Sequence, residues 1–257
     1  MGTLELFDLS GKAAIVTGGG RGLGFVLAEA LAEAGCDLML CSRKAVNCEE
    51  AARKLKRLGV NAVGKRCDIT DSSDVAELRD AALKAFGKID ILINNSGAAW
   101  GAPTEDYPLK GWQKVINVNV TGTFLCSQII GKSMITEGKG KIINLSSIFS
   151  TVGAPSNVMD AIAYNTSKGA VEAFTKDLAV KWAKYQICVN TIAPSFIETD
   201  LTRETMQKGG KHILDLVPMG RFGVPADLKG AVIFLSSAAS DYITGTTIYV
   251  DGGYRAM

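Results

Sequence analysis

Six short runs that are apolar without alternation constrain this chain more than any other feature. They are AAIVT at 13–17, DLMLC at 37–41, IDILIN at 89–94, KIINLS at 141–146, CVNTIA at 188–193 and TIYVD at 247–251. A strand apolar on both faces must be covered on both, as in a parallel sheet between two helical layers. Segments of helical spacing lie between the runs. In the first, Leu23, Leu27, Ala30, Leu31 and Ala34 share one face, and Gly35 follows as a C-terminal stop. The others cover about 47–58, 72–86, 111–134, 161–185 and 225–237. Unbroken strand–helix alternation with no linker predicts one doubly wound α/β domain over 1–257, its sheet mostly parallel.

The rhythm breaks over about 195–225, where Gly209, Gly210, Pro218, Gly220, Gly223 and Pro225 gather just past a strand's carboxyl end. Open α/β sheets bind ligands at that edge, so the stretch is expected to be a substrate lid. His212 within it reads as a surface or packing residue. Lys+Arg number 28 against 26 Asp+Glu, with no basic tail, so neither nucleic acid nor an anionic membrane is an expected partner. Six scattered cysteines and a single histidine lack the clustering of metal ligands, and no metal is expected. MGTLELFDLSGK lacks the regions of a signal peptide, and no run approaches the roughly 18 apolar residues of a membrane span. A cytoplasmic protein with reduced thiols is the expectation.

After the first strand, Thr17-Gly18-Gly19-Gly20-Arg21-Gly22-Leu23-Gly24 runs directly into a helix. Glycines there let backbone approach a pyrophosphate, and the helix start offers free N–H groups and a positive dipole end. The second strand ends in Ser42-Arg43-Lys44, where an NAD-binding chain would carry an acid for the ribose 2′-OH. A 2′-phosphate needs cationic forks instead, and Arg21 and Arg43 are placed to supply them, so NADP(H) is the expected cofactor. Tyr164 and Lys168 are four apart on a helix and share a face. A free phenol has a pKa of about 10, too high for a general base at neutral pH, and a nearby ammonium favours the phenolate.

TGGGRGLG at 17–24, CDI at 67–69, NNSG at 94–97, INVNVTG at 116–122, INLSS at 143–147, YNTSK at 164–168, VNTIAPSFIET at 189–199, PMGRFGVP at 218–225 and YITGTTIYVDGG at 242–253 stand in order. Over nearly its whole length the chain resembles the short-chain dehydrogenase/reductase family, with its Rossmann fold. LFDLSGKAAIVTGG is similar to the gluconate 5-dehydrogenase-like branch, and IAPSFIETDLT to the 3-oxoacyl-carrier-protein reductases. The resemblance implies a catalytic set of Asn119, Ser147, Tyr164 and Lys168. Tyr164 exchanges a proton with the substrate oxygen, Ser147 hydrogen-bonds that oxygen, Lys168 also holds the nicotinamide ribose, and Asn119 anchors a water chain. Ser146 is the rival serine. Gly18, Gly20, Gly22, Leu23 and Gly24 would hold the pyrophosphate, and Arg21, Ser42, Arg43 and Lys44 would lie at the 2′-phosphate. Asp68 and Ile69 would meet adenine, with Asn95, Ser96 and Gly97 behind the ribose and Pro194, Ile197 and Thr199 beside the nicotinamide.

Trp100, Phe149, Met159 and Phe196 are candidates for the substrate wall beside Ser147. Ser195 stands where the family usually has glycine and would be strained if that position needs positive φ. The reading is an NADP(H)-dependent ketoreductase or sugar/polyol dehydrogenase acting on a small carbonyl or alcohol. An idle dinucleotide-binding sensor or scaffold, or an epimerase or dehydratase of the same family, is the alternative. The family commonly forms tetramers, and Phe174, Leu178, Trp182, Tyr249, Tyr254 and Met257 offer apolar surface for a homotetramer.

Overall fold

A computed structural model describes residues 2–156, 158–199 and 203–257, without the side chains of 203–205 and 207–209. The expected lid at 195–225 therefore includes three positions, 200–202, that lie outside the described residues. Seven strands form one sheet: β1 (Ala13–Thr17), β2 (Asp37–Ser42), β3 (Ala62–Arg66), β4 (Ile91–Asn94), β5 (Gly140–Leu145), β6 (Ile187–Pro194) and β7 (Thr247–Val250). Their order is β3-β2-β1-β4-β5-β6-β7, and every pairing is parallel. Six of the strands match the apolar runs. The seventh, β3, is new: AVGKR sits at the sheet edge and buries only Ala62.

The helices are α1 (Gly22–Glu33), α2 (Ala45–Leu55), α3 (Ser72–Phe86), α4 (Leu109–Ile116), α5 (Gly122–Glu137), α6 (Ile162–Trp182), α7 (Arg203–Leu214) and α8 (Lys229–Ser236). They cover both faces of the sheet. Ala14, Val16, Leu38 and Leu40 face Leu27 and Leu31 of α1 and Val232 and Leu235 of α8. Ile15, Met39 and Leu92 point the other way, against Leu78, Ile130, Met134 and Leu178. Each fully buried leucine or isoleucine of these layers contributes about 1.5–3 kcal/mol by leaving water. Among the described residues no helix is long and apolar enough to cross a membrane.

The segment expected as one helix over 111–134 is broken by a π-helical turn at Asn117–Thr121, between α4 and α5. Such turns insert a residue into the helical ladder and re-aim the side chains around them. Here the turn carries Asn119. The chain moves outward from β1 to β3 and then crosses back to β4, so the strand order reverses between β1 and β4. A crevice opens at that reversal, outside the strands' carboxyl ends.

Candidate active site

Thr17 and Asn95 staple the two strand ends at the reversal. The Thr17 hydroxyl accepts from the backbone N–H groups of Asn95 and Ser96, each at 3.0 Å, while Asn95 Nδ2 donates to the Thr17 carbonyl at 3.0 Å. Gly24 has to be glycine, because a Cβ there would lie 2.2 Å from the Gly18 carbonyl oxygen. Gly22 takes φ of +55° with nothing within 4 Å of a would-be Cβ, so the backbone itself is the surface. The α1 N-cap, Arg21, makes no side-chain cap bond, leaving the first N–H groups of α1 without that partner. An open glycine cradle at an uncapped helix start fits a pyrophosphate.

The crevice is a cleft of about 840 Å³. Its walls include Gly18, Gly20, Arg21, Gly22, Leu23 and Gly24 from the glycine turn, and Ser42, Arg43 and Lys44 from the end of β2. Asp68 and Ile69, Asn95, Ser96 and Gly97, and Pro194, Ile197 and Thr199 complete the dinucleotide-length part. Burial works to raise the Asp68 carboxyl, but two hydrogen bonds from Thr70, with Arg43 and Arg66 nearby, hold it below its usual value. Arg43 therefore stands over this end with no acid at the tip of β2, an arrangement suited to a phosphate on the ribose. Asn47, Cys67, Lys114, Val118 and Leu145 also line the cleft and were not singled out in the sequence. Cys67, Val118 and Leu145 fall inside the CDI, INVNVTG and INLSS segments, whereas no local motif marks Asn47 or Lys114.

At the other end lie Ser147, Tyr164 and Lys168. Lys168 is 5% exposed; its ammonium donates to the Leu145 carbonyl at 2.6 Å and sits 5.5 Å from the Tyr164 ring centroid. Burial pulls its pKa down to about 8. Burial pushes the Tyr164 phenol up, and a hydrogen bond with Ser147 draws it partly back. The Ser147 hydroxyl also accepts from Phe149 N–H at 3.3 Å, capping a short 3-10 turn at Ile148–Ser150. Ser146 is committed elsewhere, donating to the Lys168 carbonyl at 3.1 Å. Behind the turn, the Ser150 hydroxyl bonds the Ser147 carbonyl at 2.6 Å and also meets Glu172, whose carboxylate takes the Tyr249 hydroxyl at 3.1 Å.

Asn119 is buried and does not line the cleft. Its side chain accepts from Ala98 N–H at 2.7 Å and donates to the Ala98 carbonyl at 2.9 Å and to Ser167 Oγ at 2.8 Å. Ser167 in turn donates to the Tyr164 carbonyl at 2.7 Å, so Asn119 ties the turn after β4 to the tyrosine's own helix.

Phe149, Met159 and Phe196 line the cleft beside Ser147, together with Val158 and Met206. Trp100 corrects the sequence expectation, for it is not among the lining residues. A Cβ on Gly111 of α4 would lie 2.8 Å from its ring, and Lys114 stands 5.4 Å over it, so the indole is docked on α4. Ser195 is unstrained, since Gln186 alone among the described non-glycine residues has positive φ. The Ser195 N–H donates to Val250 at 3.1 Å. His212 is exposed on α7.

A family model described as enoyl-(acyl carrier protein) reductase matches residues 18–255. The 2-dehydro-3-deoxy-D-gluconate 5-dehydrogenase of Dickeya dadantii is 41% identical, over 98% of this chain and 99% of that protein. A gluconate 5-dehydrogenase from Burkholderia cenocepacia, crystallised with NADP and tartrate, superposes with a TM-score of 0.94 at 36% identity, over 100% of both chains. A short-chain type dehydrogenase/reductase from Mycobacterium marinum gives a TM-score of 0.95, also at 36% identity over 100% of both chains. The glycine turn, the tyrosine–lysine helix and these full-length likenesses agree, and the chain belongs to the short-chain dehydrogenase/reductase family.

Proposed function

We propose that the chain is an NADP(H)-dependent oxidoreductase interconverting a carbonyl and a secondary alcohol, a ketoreductase or sugar/polyol dehydrogenase. The observation that carries this is a single cleft holding an uncapped glycine cradle, Arg21 and Arg43 at one end and Ser147, Tyr164 and Lys168 at the other. NADP(H), when bound, supplies or accepts the hydride. The chain's own residues handle the proton. Ser147 holds the substrate oxygen at Tyr164, whose phenol donates its proton during reduction and takes one back during oxidation. Lys168 lends positive charge to the phenolate and holds the ribose, and Asn119 anchors the water chain that restores the proton. Arg21 and Arg43 grip the 2′-phosphate.

Initial rates with each nucleotide test this reading. NADPH is expected to be preferred, and Arg43→Ala and Arg21→Ala should each cost NADPH a charge-assisted bond of about 1.5–3 kcal/mol while NADH kinetics change little. A wild-type enzyme preferring NADH overturns the assignment.

The unit of activity is a cytoplasmic homotetramer of single catalytic domains, each with its lid at 195–225. Supporting this, Leu109, Phe124, Ile162 and Val180 are exposed on α4, α5 and α6. Symmetric pairing is the usual way for a protein to cover such surface. Tyr249 and Tyr254 add less to that surface than their sequence implies, because each is half-buried within its own chain. Light scattering should give four subunits, and a fully active monomer at micromolar concentration would defeat the tetramer alone.

A further inference from the structure

Glu172 is a buried acid that the proton transfer does not use. It lies on α6 one helical turn past Lys168, is 5% exposed, and does not line the cleft. A carboxylate so far from water is costly unless hydrogen bonds hold it. Two hydroxyls from other elements do so. Tyr249, on β7, donates to its two oxygens at 3.1 and 3.3 Å, and the Ser150 hydroxyl meets Oε1. Arg255 stacks its guanidinium on the Tyr249 ring, 3.6 Å from the centroid.

Ser150 carries this grip to Ser147. Its N–H donates to the Ser147 carbonyl at 3.0 Å, and its hydroxyl lies 2.6 Å from the same oxygen. Because a peptide group is planar, fixing that carbonyl fixes the stretch of backbone from which the Ser147 hydroxyl projects. The turn is also seated closely on α6, for a Cβ on Gly169 would come 3.3 Å from the Ser150 carbonyl oxygen. Phe149 of the same turn is anchored separately. Its ring meets Phe196 edge to face at 5.7 Å and Tyr254 at 6.4 Å, and Tyr254 closes the aromatic trio at 5.9 Å from Phe196. Apolar packing is not directional and keeps the turn roughly in place. The hydrogen bond between Ser147 and Tyr164 is directional, and it needs the finer hold that the carboxylate gives.

We infer that Glu172 is a positioning residue of the reaction, acting through Ser150 to hold the Ser147 hydroxyl against Tyr164. The inference rests on the roles given above to Ser147 and Tyr164. It adds to them a carboxylate outside the cleft, and through Tyr249 it makes the last strand part of the catalytic geometry.

The test is a double-mutant cycle on the full-length enzyme, with NADPH and either 2,3-butanedione or 5-keto-D-gluconate, whichever the wild type reduces faster. Glu172→Ala should lower kcat about 10- to 100-fold, the scale of a small misplacement at a reacting centre. Cofactor affinity, from fluorescence titration, should stay near wild type. In a Ser147→Ala background the same substitution should cost less than about threefold, since a residue acting through Ser147 has nothing left to position. Glu172→Gln still offers an oxygen and an N–H to the two hydroxyls and should keep kcat within about fivefold of wild type. Losses that multiply in the double variant overturn the inference. So do an unchanged kcat in Glu172→Ala, a matching loss of cofactor affinity, or a glutamine variant as poor as the alanine one. If Glu172→Ala fails to fold, Ser150→Ala takes its place in the cycle, with a kcat loss of about fivefold or more expected. If the wild type reduces neither ketone, or Ser147→Ala leaves kcat unaltered, it is the reading of the active site that fails. Amide hydrogen exchange then decides whether Glu172 holds Ser147. Exchange over 148–151 should quicken about tenfold in Glu172→Ala while β5 stays protected, and unchanged exchange there overturns the inference.

Discussion

Tyr164→Phe is expected to lower kcat by about 100- to 10,000-fold, the usual range for losing a positioned general acid or base. The ring keeps its place under the Lys168 ammonium, and only the hydroxyl that meets Ser147 is lost. Cofactor affinity, measured by fluorescence titration, should therefore stay near wild type. A loss in kcat and in kcat/KM together is the signature of an interaction made in the transition state. Near-normal turnover would remove Tyr164 from the mechanism.

Lys168→Met should abolish most activity yet make the cofactor-free protein more stable at pH 7. The ammonium is buried, and its pKa falls from 10.5 to about 8. The unfolded chain then binds more protons than the folded one between about pH 8 and 10.5, so this group's contribution to stability rises with pH across that window. Below about pH 8 the full cost of burying the charge is present; above 10.5 it is gone. The shift alone corresponds to about 3 kcal/mol, less about 1 kcal/mol for the hydrogen bond to Leu145 that methionine cannot make. A net gain of about 2 kcal/mol raises Tm by about 4–8 °C in a chain of this length. Thermal melts at pH 7 and pH 10 check both the gain and its loss at high pH. An unchanged or lower Tm at pH 7 would show that the buried ammonium carries no such cost.

The elements most legible in the sequence are those buried from both sides. Ile91–Asn94 and Gly140–Leu145 are buried throughout, and their composition leaves no other reading. β3 was missed because an edge strand needs one apolar contact, and Ala62 supplies it while Lys65 and Arg66 look like loop. The π turn was hidden for a different reason. It carries Asn119, whose side chain bonds Ala98, 21 residues away, a contact that no local periodicity records. The glycine turn and the tyrosine–lysine pair were legible because their chemistry is local: a turn that must admit a phosphate, and two side chains one helical turn apart. Trp100 was misplaced by the converse. It looked like a pocket residue from its position after NNSG, but Gly111 provides a flat seat that only the folded chain reveals. Lys114 reaches the cleft on α4 with no sign of it in the neighbouring sequence, whereas Val118, on the turn after α4, lies within INVNVTG.

After β4 each new strand joins the outer edge of its predecessor, ending with β7. A polypeptide leaving the ribosome can therefore extend its sheet in the order of synthesis without reopening any earlier pairing. The phosphate cradle is complete once Asn95 has emerged to bond Thr17. Tyr249, which steadies the Ser147 turn through Glu172, and Tyr254, which closes the aromatic trio, follow the other six strands in the chain. The nascent chain can thus assemble its nucleotide grip well before it can perform a reaction, and the final strand acts as the step that arms it.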